Sequence, residues 1–273
     1  MRKIWIRFTT LFIVGVIATC ITFIGCSEQS TDTIPKPPQE TPFPDDIPPQ
    51  IPEEPKPQAP QKAQYVQAKT NGLNIRSGPS TSYSVVGQLE KGDMVTLIEK
   101  NGNWYKTRYK NKIAYLSANE NHTEIKTMEK HADERIEKVI EEGLNLLGFP
   151  YVYGAIRLHD GKGVKLKGFD SGKYDCSSLT QTIYYNGASI LLDLTTRTQI
   201  KQGKHVEKNQ LTRGDLMFFT NSQRYDKTGI ERVGHVALYL GDNYILHTAS
   251  DHAVVEEISS RRWSYYLETR RFI

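Results

Sequence analysis

Cys176 stands in the run Tyr174-Asp175-Cys176-Ser177-Ser178, His235 in Val233-Gly234-His235-Val236-Ala237-Leu238-Tyr239, and His247 in Tyr244-Ile245-Leu246-His247. A thiol with two histidines is the material of nucleophilic acyl transfer: the sulfur attacks a carbonyl, one imidazole handles the proton, and a further group orients that imidazole. The only other cysteines, Cys20 and Cys26, fall in an amino-terminal segment that reads as an export signal, which leaves Cys176 without an obvious disulfide partner. A lone thiol in an oxidising space is a liability unless it is used.

These side chains need elements to hold them. Asp175 is a good N-cap, and Leu179 and Ile183 share one face of a short helix over 176–186, which sets Cys176 in its first turn with Gly187 past its end. There the helix dipole and unprotected amides favour the thiolate and can steady an oxyanion. The Asp175 carboxylate opposes ionisation unless capping or a bound cation occupies it. If Gly241-Asp242-Asn243 closes a three-residue hairpin, Leu240 pairs with Tyr244 and Ala237 faces His247. His235 and His247 then lie as diagonal neighbours on one face, roughly 7 Å apart at the backbone. A slip of one residue would separate them. A zinc site of Cys176, His235, His247 and a carboxylate is the metal alternative, but no CxxC or HExxH nucleus accompanies it. His122, His131, His159, His205 and His252 read as structural or solvated.

The 273 residues leave room for two small folded parts. Lys plus Arg is 35 against Asp plus Glu 31, a net charge of +4 without a basic stripe, which does not argue for a nucleic-acid partner. Arg2, Lys3 and Arg7 precede an uncharged run over 11–24 that ends in Phe23-Ile24-Gly25-Cys26. That is a secretory signal over 1–25 by its layout, and it is shorter than the ~20 residues of a spanning helix. Its ending resembles the lipobox of bacterial lipoproteins, which implies cleavage before Cys26, lipidation of its sulfur and a membrane anchor; an uncleaved amino-terminal anchor is the alternative. Between Pro35 and Pro60 lie 11 of the 13 prolines, so 26–62 reads as an extended linker.

Over 63–120, Leu73–Arg76, Val85–Leu89, Met94–Ile98, Trp104–Tyr109 and Ile113–Leu116 alternate between turn signals, five short strands that argue a small all-β barrel. Trp104, Tyr105 and Tyr83 offer either an aromatic recognition surface or barrel core. The second part, 126–273, opens on a helical pattern from about Lys126 to Leu147 and continues into strand-like runs at 215–219, 233–240, 244–249 and 253–258. Helices followed by an antiparallel sheet make the fold class α+β.

The order Leu73-Asn74-Ile75-Arg76-Ser77-Gly78-Pro79, Lys91-Gly92-Asp93, Asn103-Trp104-Tyr105 resembles a bacterial SH3-like domain. Gly148-Phe149-Pro150-Tyr151, Asp175-Cys176-Ser177-Ser178, Arg197-Thr198, Arg213-Gly214-Asp215-Leu216, Gly234-His235-Val236-Ala237 and Ile245-Leu246-His247, in that order, resemble the NlpC/p60 family of papain-like cell-wall cysteine peptidases. The resemblance implies Cys176 as nucleophile, His235 as general base and His247 as its orienting partner. It implies Tyr151 beside the nucleophile, where plain aromatic packing is the alternative, and Asp175 with Ser177 as readers of the free amine of an L-Ala-γ-D-Glu peptide. Peptidoglycan or muropeptides are the implied partner, cut at the γ-D-glutamyl to diamino acid bond outside the cytoplasm by a lipid-anchored monomer that needs no cofactor and no metal. The rivals are an inactive envelope-binding lipoprotein and an amidase or acyltransferase on the same fold. Two departures stand out: 24 residues separate Tyr151 from Cys176, wider than is usual, and Gln199 stands where a serine often follows Arg-Thr.

Overall fold

The computed structural model describes residues 61–248 and 251–273; the export segment, Cys26 and the proline-rich stretch lie outside the described residues. The first part consists of β1 (Lys62–Ala68), β2 (Leu73–Arg76), β3 (Val85–Leu89), β4 (Met94–Thr96), β5 (Glu99–Asn101), β6 (Trp104–Tyr109), β7 (Lys112–Ser117) and β8 (Thr123–Glu129). They pair antiparallel in two sheets, β4-β1-β8 and β3-β2-β7-β6-β5. β6 alternates strictly, burying Tyr105, Thr107 and Tyr109, while Ala114 and Leu116 of β7 point to the same interior. The β6–β7 turn is Lys110-Asn111, both at positive φ (49 and 56°), as a two-residue primed turn requires. Tyr105 is core and Tyr83 is 47% exposed, so the three aromatics do not form a shared surface.

Three of these strands, β1, β5 and β8, were not foreseen in the sequence. β1 pairs along its whole length with β8, from Lys62 opposite Glu129 to Ala68 opposite Thr123. Residues 126–129 are therefore strand and not the start of a helix. The helix α1 (Glu134–Asn145) begins where Asp133 caps it by accepting from Arg135 N–H.

The second part continues with α2 (Cys176–Ala188), α3 (Thr196–Gln199), β9 (Lys204–Val206), β10 (Leu216–Phe219), β11 (His235–Gly241), β12 (Tyr244–Thr248), β13 (Ala253–Glu257), α4 (Ser260–Ser264) and β14 (Tyr266–Arg271). The six strands form one antiparallel sheet in the order β13-β12-β11-β10-β14-β9. Its two faces are both covered. Leu216, Phe218, Val236, Leu238 and Leu246 join Ile136, Val139, Leu179 and Ile183 of the helices. Met217, Phe219, Ala237 and Ile245 join Ile258, Trp263 and Tyr266 on the other side. This is an α+β architecture, and the helix face fixes α2 against β11.

Gly187 does not end α2. A Cβ there would come 2.5 Å from the Val139 amide nitrogen, so the glycine permits close approach of α1 and α2, and Ser189 closes the helix in a left-handed conformation (φ 55°).

Arg213, 7% exposed, ties the two parts together. It donates from Nε to Glu137 Oε1 (2.6 Å), from its terminal nitrogens to Glu137 Oε2 (3.0 Å) and Tyr65 Oη (2.8 Å), and to the Leu240 carbonyl (2.7 Å). Gln67 Nε2 donates to Tyr244 Oη at 2.9 Å, so β1 touches the hairpin that carries both histidines.

Candidate active site

α2 opens with a full capping box. Asp175 Oδ1 accepts from Ser178 N–H (2.8 Å), and Ser178 Oγ accepts from Asp175 N–H (2.8 Å). This fixes the first turn and leaves the Cys176 amide outside the cap. Cys176 is buried at 9% exposure and is not in a disulfide. The amides of Val236 and Ser177 are directed at its sulfur, which places the thiol at the start of β11, one residue past His235.

The thiol differs from the sequence expectation in its charge. Burial pushes Cys176 up to about 12, Asp175 adds to the rise, and the Val236 and Ser177 amides and the Arg157 guanidinium oppose it. Desolvation outweighs the helix start, so the substrate-free protein holds a neutral thiol.

His235 and His247 are brought together as the hairpin reading expects, by a different turn. Asp242 and Asn243, at φ 48 and 69°, make a two-residue turn, and Gly241 pairs with Tyr244. A bulge between Tyr239 and Gly241 absorbs the extra residue, so Leu238 still pairs with Leu246 and the continued register sets Ala237 opposite His247. His235 Nε2 is 2.9 Å from His247 Nδ1, with the rings edge to face at 5.0 Å. Burial, then His247 and Arg262, holds His235 well below its ordinary range. His247 is fully buried; burial lowers it, with Glu256 opposing.

Asp175 is not empty-handed. Arg157 at the start of the long 157–173 loop lies 2.9 Å from Asp175 Oδ2 and donates to Ser177 Oγ at 2.7 Å, while Ser177 Oγ donates to Asp175 Oδ1 at 3.1 Å. Tyr151 bridges to Tyr174 beside Asp175, and its amide donates to the Asp251 carbonyl at 2.7 Å. Its hydroxyl is pushed up by burial, then by the charges of Cys176 and Asp175. Gln199 is buried and structural: it donates to the carbonyls of Ser177 and Asp193 (2.9 Å each) and accepts from Thr180 Oγ1 at 3.0 Å.

Two groups escaped sequence reasoning. Glu256 Oε1 is 3.1 Å from His247 Nε2, off the line of the N–H, so the contact is electrostatic more than an aligned hydrogen bond. Arg262 donates to the same oxygen at 3.1 Å. Period-2 reading of β13 could have put Glu256 on the histidine face, but nothing local singles it out. Among the described residues no group of three or more His, Cys, Asp or Glu is arranged to hold a metal ion. His159 is buried with Nδ1 accepting from Gly161 N–H (3.0 Å), and His205 sits between Glu268 and Glu207.

Residues 148–271 match the NlpC/P60 family and residues 71–120 the bacterial SH3 domain. The chain is 31% identical over 138 residues to a gamma-D-glutamyl-L-lysine dipeptidyl-peptidase of Bacillus cereus, covering 50% of this chain and 36% of that protein. It is 31% identical over 131 residues to the peptidoglycan DL-endopeptidase CwlO of Bacillus licheniformis (47% and 26%). It is also 31% identical over 143 residues to a gamma-DL-glutamyl hydrolase of Bacillus subtilis (51% and 30%). The chain thus spans about a third of the length of these relatives.

Proposed function

We propose that this chain, which carries an NlpC/P60 domain after a bacterial SH3 domain, is a cysteine endopeptidase that hydrolyses peptidoglycan stem peptides at the γ-D-glutamyl to diamino acid bond. The observation that supports this most is the thiol at a capped helix start, with α2 packed on the hairpin whose two imidazoles meet at 2.9 Å, and the activities of the relatives agree with it. The γ-D-glutamyl carbonyl is attacked by Cys176 Sγ as the thiol proton passes to His235 Nδ1, the ring nitrogen that His247 does not occupy. The amides of the first turn receive the oxyanion. Collapse breaks the C–N bond, and His235 returns the proton to the departing amine. Water then attacks the thioester with His235 accepting its proton, collapse breaks the C–S bond, and His235 passes that proton to the departing Cys176 sulfur, which regenerates thiol and imidazole. Burial keeps thiol and imidazole neutral until substrate arrives, so proton transfer accompanies attack.

Asp175, Ser177 and Tyr151 are assigned to substrate binding, Cys26 to lipid attachment, and the folded part to the outside of the membrane as a monomer facing the wall. These assignments rest on motif and position. The test is digestion of defined muropeptides by the exported region, with products read by mass spectrometry. Absence of cleavage at any γ-D-glutamyl bond, in whole wall and in fragments, removes the peptidase reading.

Arg157 sharpens the amine-reading role of Asp175. A substrate ammonium has to displace a guanidinium from a carboxylate that is 6% exposed. In Arg157→Ala the carboxylate is left without its cation, so the KM for stems with a free L-Ala amine falls by about tenfold, ~1.4 kcal/mol, while N-acylated stems change little. Equal KM values for free and acylated stems in both proteins would remove Asp175 as an amine reader.

A further inference from the structure

The acid–base groups run diagonally across three strands. His235 on β11 and His247 on β12 are diagonal neighbours. Ile245 pairs with Glu256 and His247 with Val254, which sets Glu256 of β13 on the same face, one diagonal further. Its carboxylate is held from the far side by Arg262 of α4, whose guanidinium lies over the Phe219 ring at 5.9 Å, and that ring packs on His235 at 6.2 Å. Three side chains, Glu256, Arg262 and Phe219, therefore close around the two imidazoles.

A neutral imidazole has one N–H, and its position on His247 decides what His235 can do. With the proton on Nε2, toward Glu256, Nδ1 of His247 accepts from His235 Nε2–H, and His235 Nδ1 is left as a base. With the proton on Nδ1, two N–H groups would oppose each other unless His235 moved its own proton to Nδ1, where it would block deprotonation of the thiol. We propose that Glu256, steered by Arg262, is a positioning residue that fixes the Nε2–H tautomer of His247 and so keeps His235 Nδ1 free to take the thiol proton. The catalytic consequence rests on the peptidase reading; the tautomer does not.

The charged and titratable groups around His247 are His235 on β11, Glu256 on β13, Arg262 on α4 and His252 just before β13. Arg262 also faces His235. Burial alone would raise Glu256, but His247 and Arg262 outweigh it and hold the carboxyl at about 2. Glu256 is therefore anionic throughout the range in which a histidine base works, and its contribution is lost only as pH falls toward 2.

Nitrogen NMR of histidine-labelled protein decides the tautomer without substrate. The wild-type protein shows His247 protonated on Nε2. Glu256→Ala shows a mixture or the Nδ1 form, and Glu256→Gln, which keeps an acceptor oxygen, retains the Nε2 form. On muropeptides, Glu256→Ala lowers kcat by ~10–100-fold, the range found when a group orienting a functional histidine is removed, with KM within about threefold. The acid limb of kcat moves to lower pH in both variants, because the carboxylate no longer favours the imidazolium. A purely structural role would lower thermal stability and leave that limb in place. Nδ1 protonation of His247 in the wild type, or an unchanged tautomer in Glu256→Ala, overturns the proposal. If the wild type cuts no muropeptide, the peptidase reading fails while the nitrogen shifts still decide the tautomer.

Discussion

Cys176→Ala reduces cleavage of γ-D-glutamyl stems to background, a loss of ~10⁴-fold or more in kcat, because removing the nucleophile of a concerted set costs about as much as removing the whole set. The fold survives the change. The helix start is held by the Asp175–Ser178 capping box, whose bonds do not involve the cysteine side chain, and the cavity left by one sulfur is small. Circular dichroism and a thermal midpoint within a few degrees of wild type separate this loss from unfolding. The same thiol gives a pH signature. With Cys176 pushed up to about 12 by burial and Asp175, and His235 pushed well down by burial, His247 and Arg262, the resting pair is thiol and imidazole. Alkylation of Cys176 in substrate-free protein therefore rises about tenfold per pH unit through neutrality and beyond pH 9, as expected of a thiol titrating far above neutrality. A preformed thiolate–imidazolium pair would react at a flat rate from mildly acidic pH upward. A plateau below pH 8 contradicts the neutral resting state, and full cleavage by Cys176→Ala contradicts the nucleophile.

What could be read from the sequence was local chemistry. Asp175 as N-cap follows from residue type and the run behind it, and α2 starts at Cys176 as expected. The histidine pair was reached through a hairpin whose turn was read one residue too long, and a bulge between Tyr239 and Gly241 cancels the difference. The alternation of side chains then puts His235 and His247 on one face in either case. What was hidden depends on partners far along the chain. β1 and β8 look unremarkable alone and become strands by pairing across some fifty residues. Glu256 reaches His247 only through the β12–β13 register. The burial that raises Cys176, and the Val236 amide of β11 and the Arg157 guanidinium that oppose the rise, are tertiary effects that a helix-start argument does not include. Local signals therefore located the thiol at the capped helix start, while its protonation state belongs to tertiary structure.

Arg213→Met destabilises the folded part by ~3–5 kcal/mol, the range for breaking a buried ion pair from one side. The methionine replaces the methylene stem, but Glu137, Tyr65 Oη and the Leu240 carbonyl each lose a donor that now lies between 2.6 and 3.0 Å away. The Glu137 carboxylate, 19% exposed, is left as a poorly solvated charge, and that is the largest contribution. The double variant Arg213→Met with Glu137→Leu removes both charges and regains more than half of the loss, because a buried pair replaced by apolar groups of similar volume is close to neutral. Denaturant unfolding of the three proteins reads the coupling directly. Activity follows the same order, since Leu240 lies in the β11–β12 hairpin that carries His235 and His247, and Tyr65 ties that hairpin's support to β1 of the SH3 part. Loss of activity in Arg213→Met at temperatures where the protein remains fully folded would show that the arginine sets the hairpin's geometry as well as its stability. A change of less than 1 kcal/mol in Arg213→Met would contradict the role of this arginine as the polar tie between the two parts.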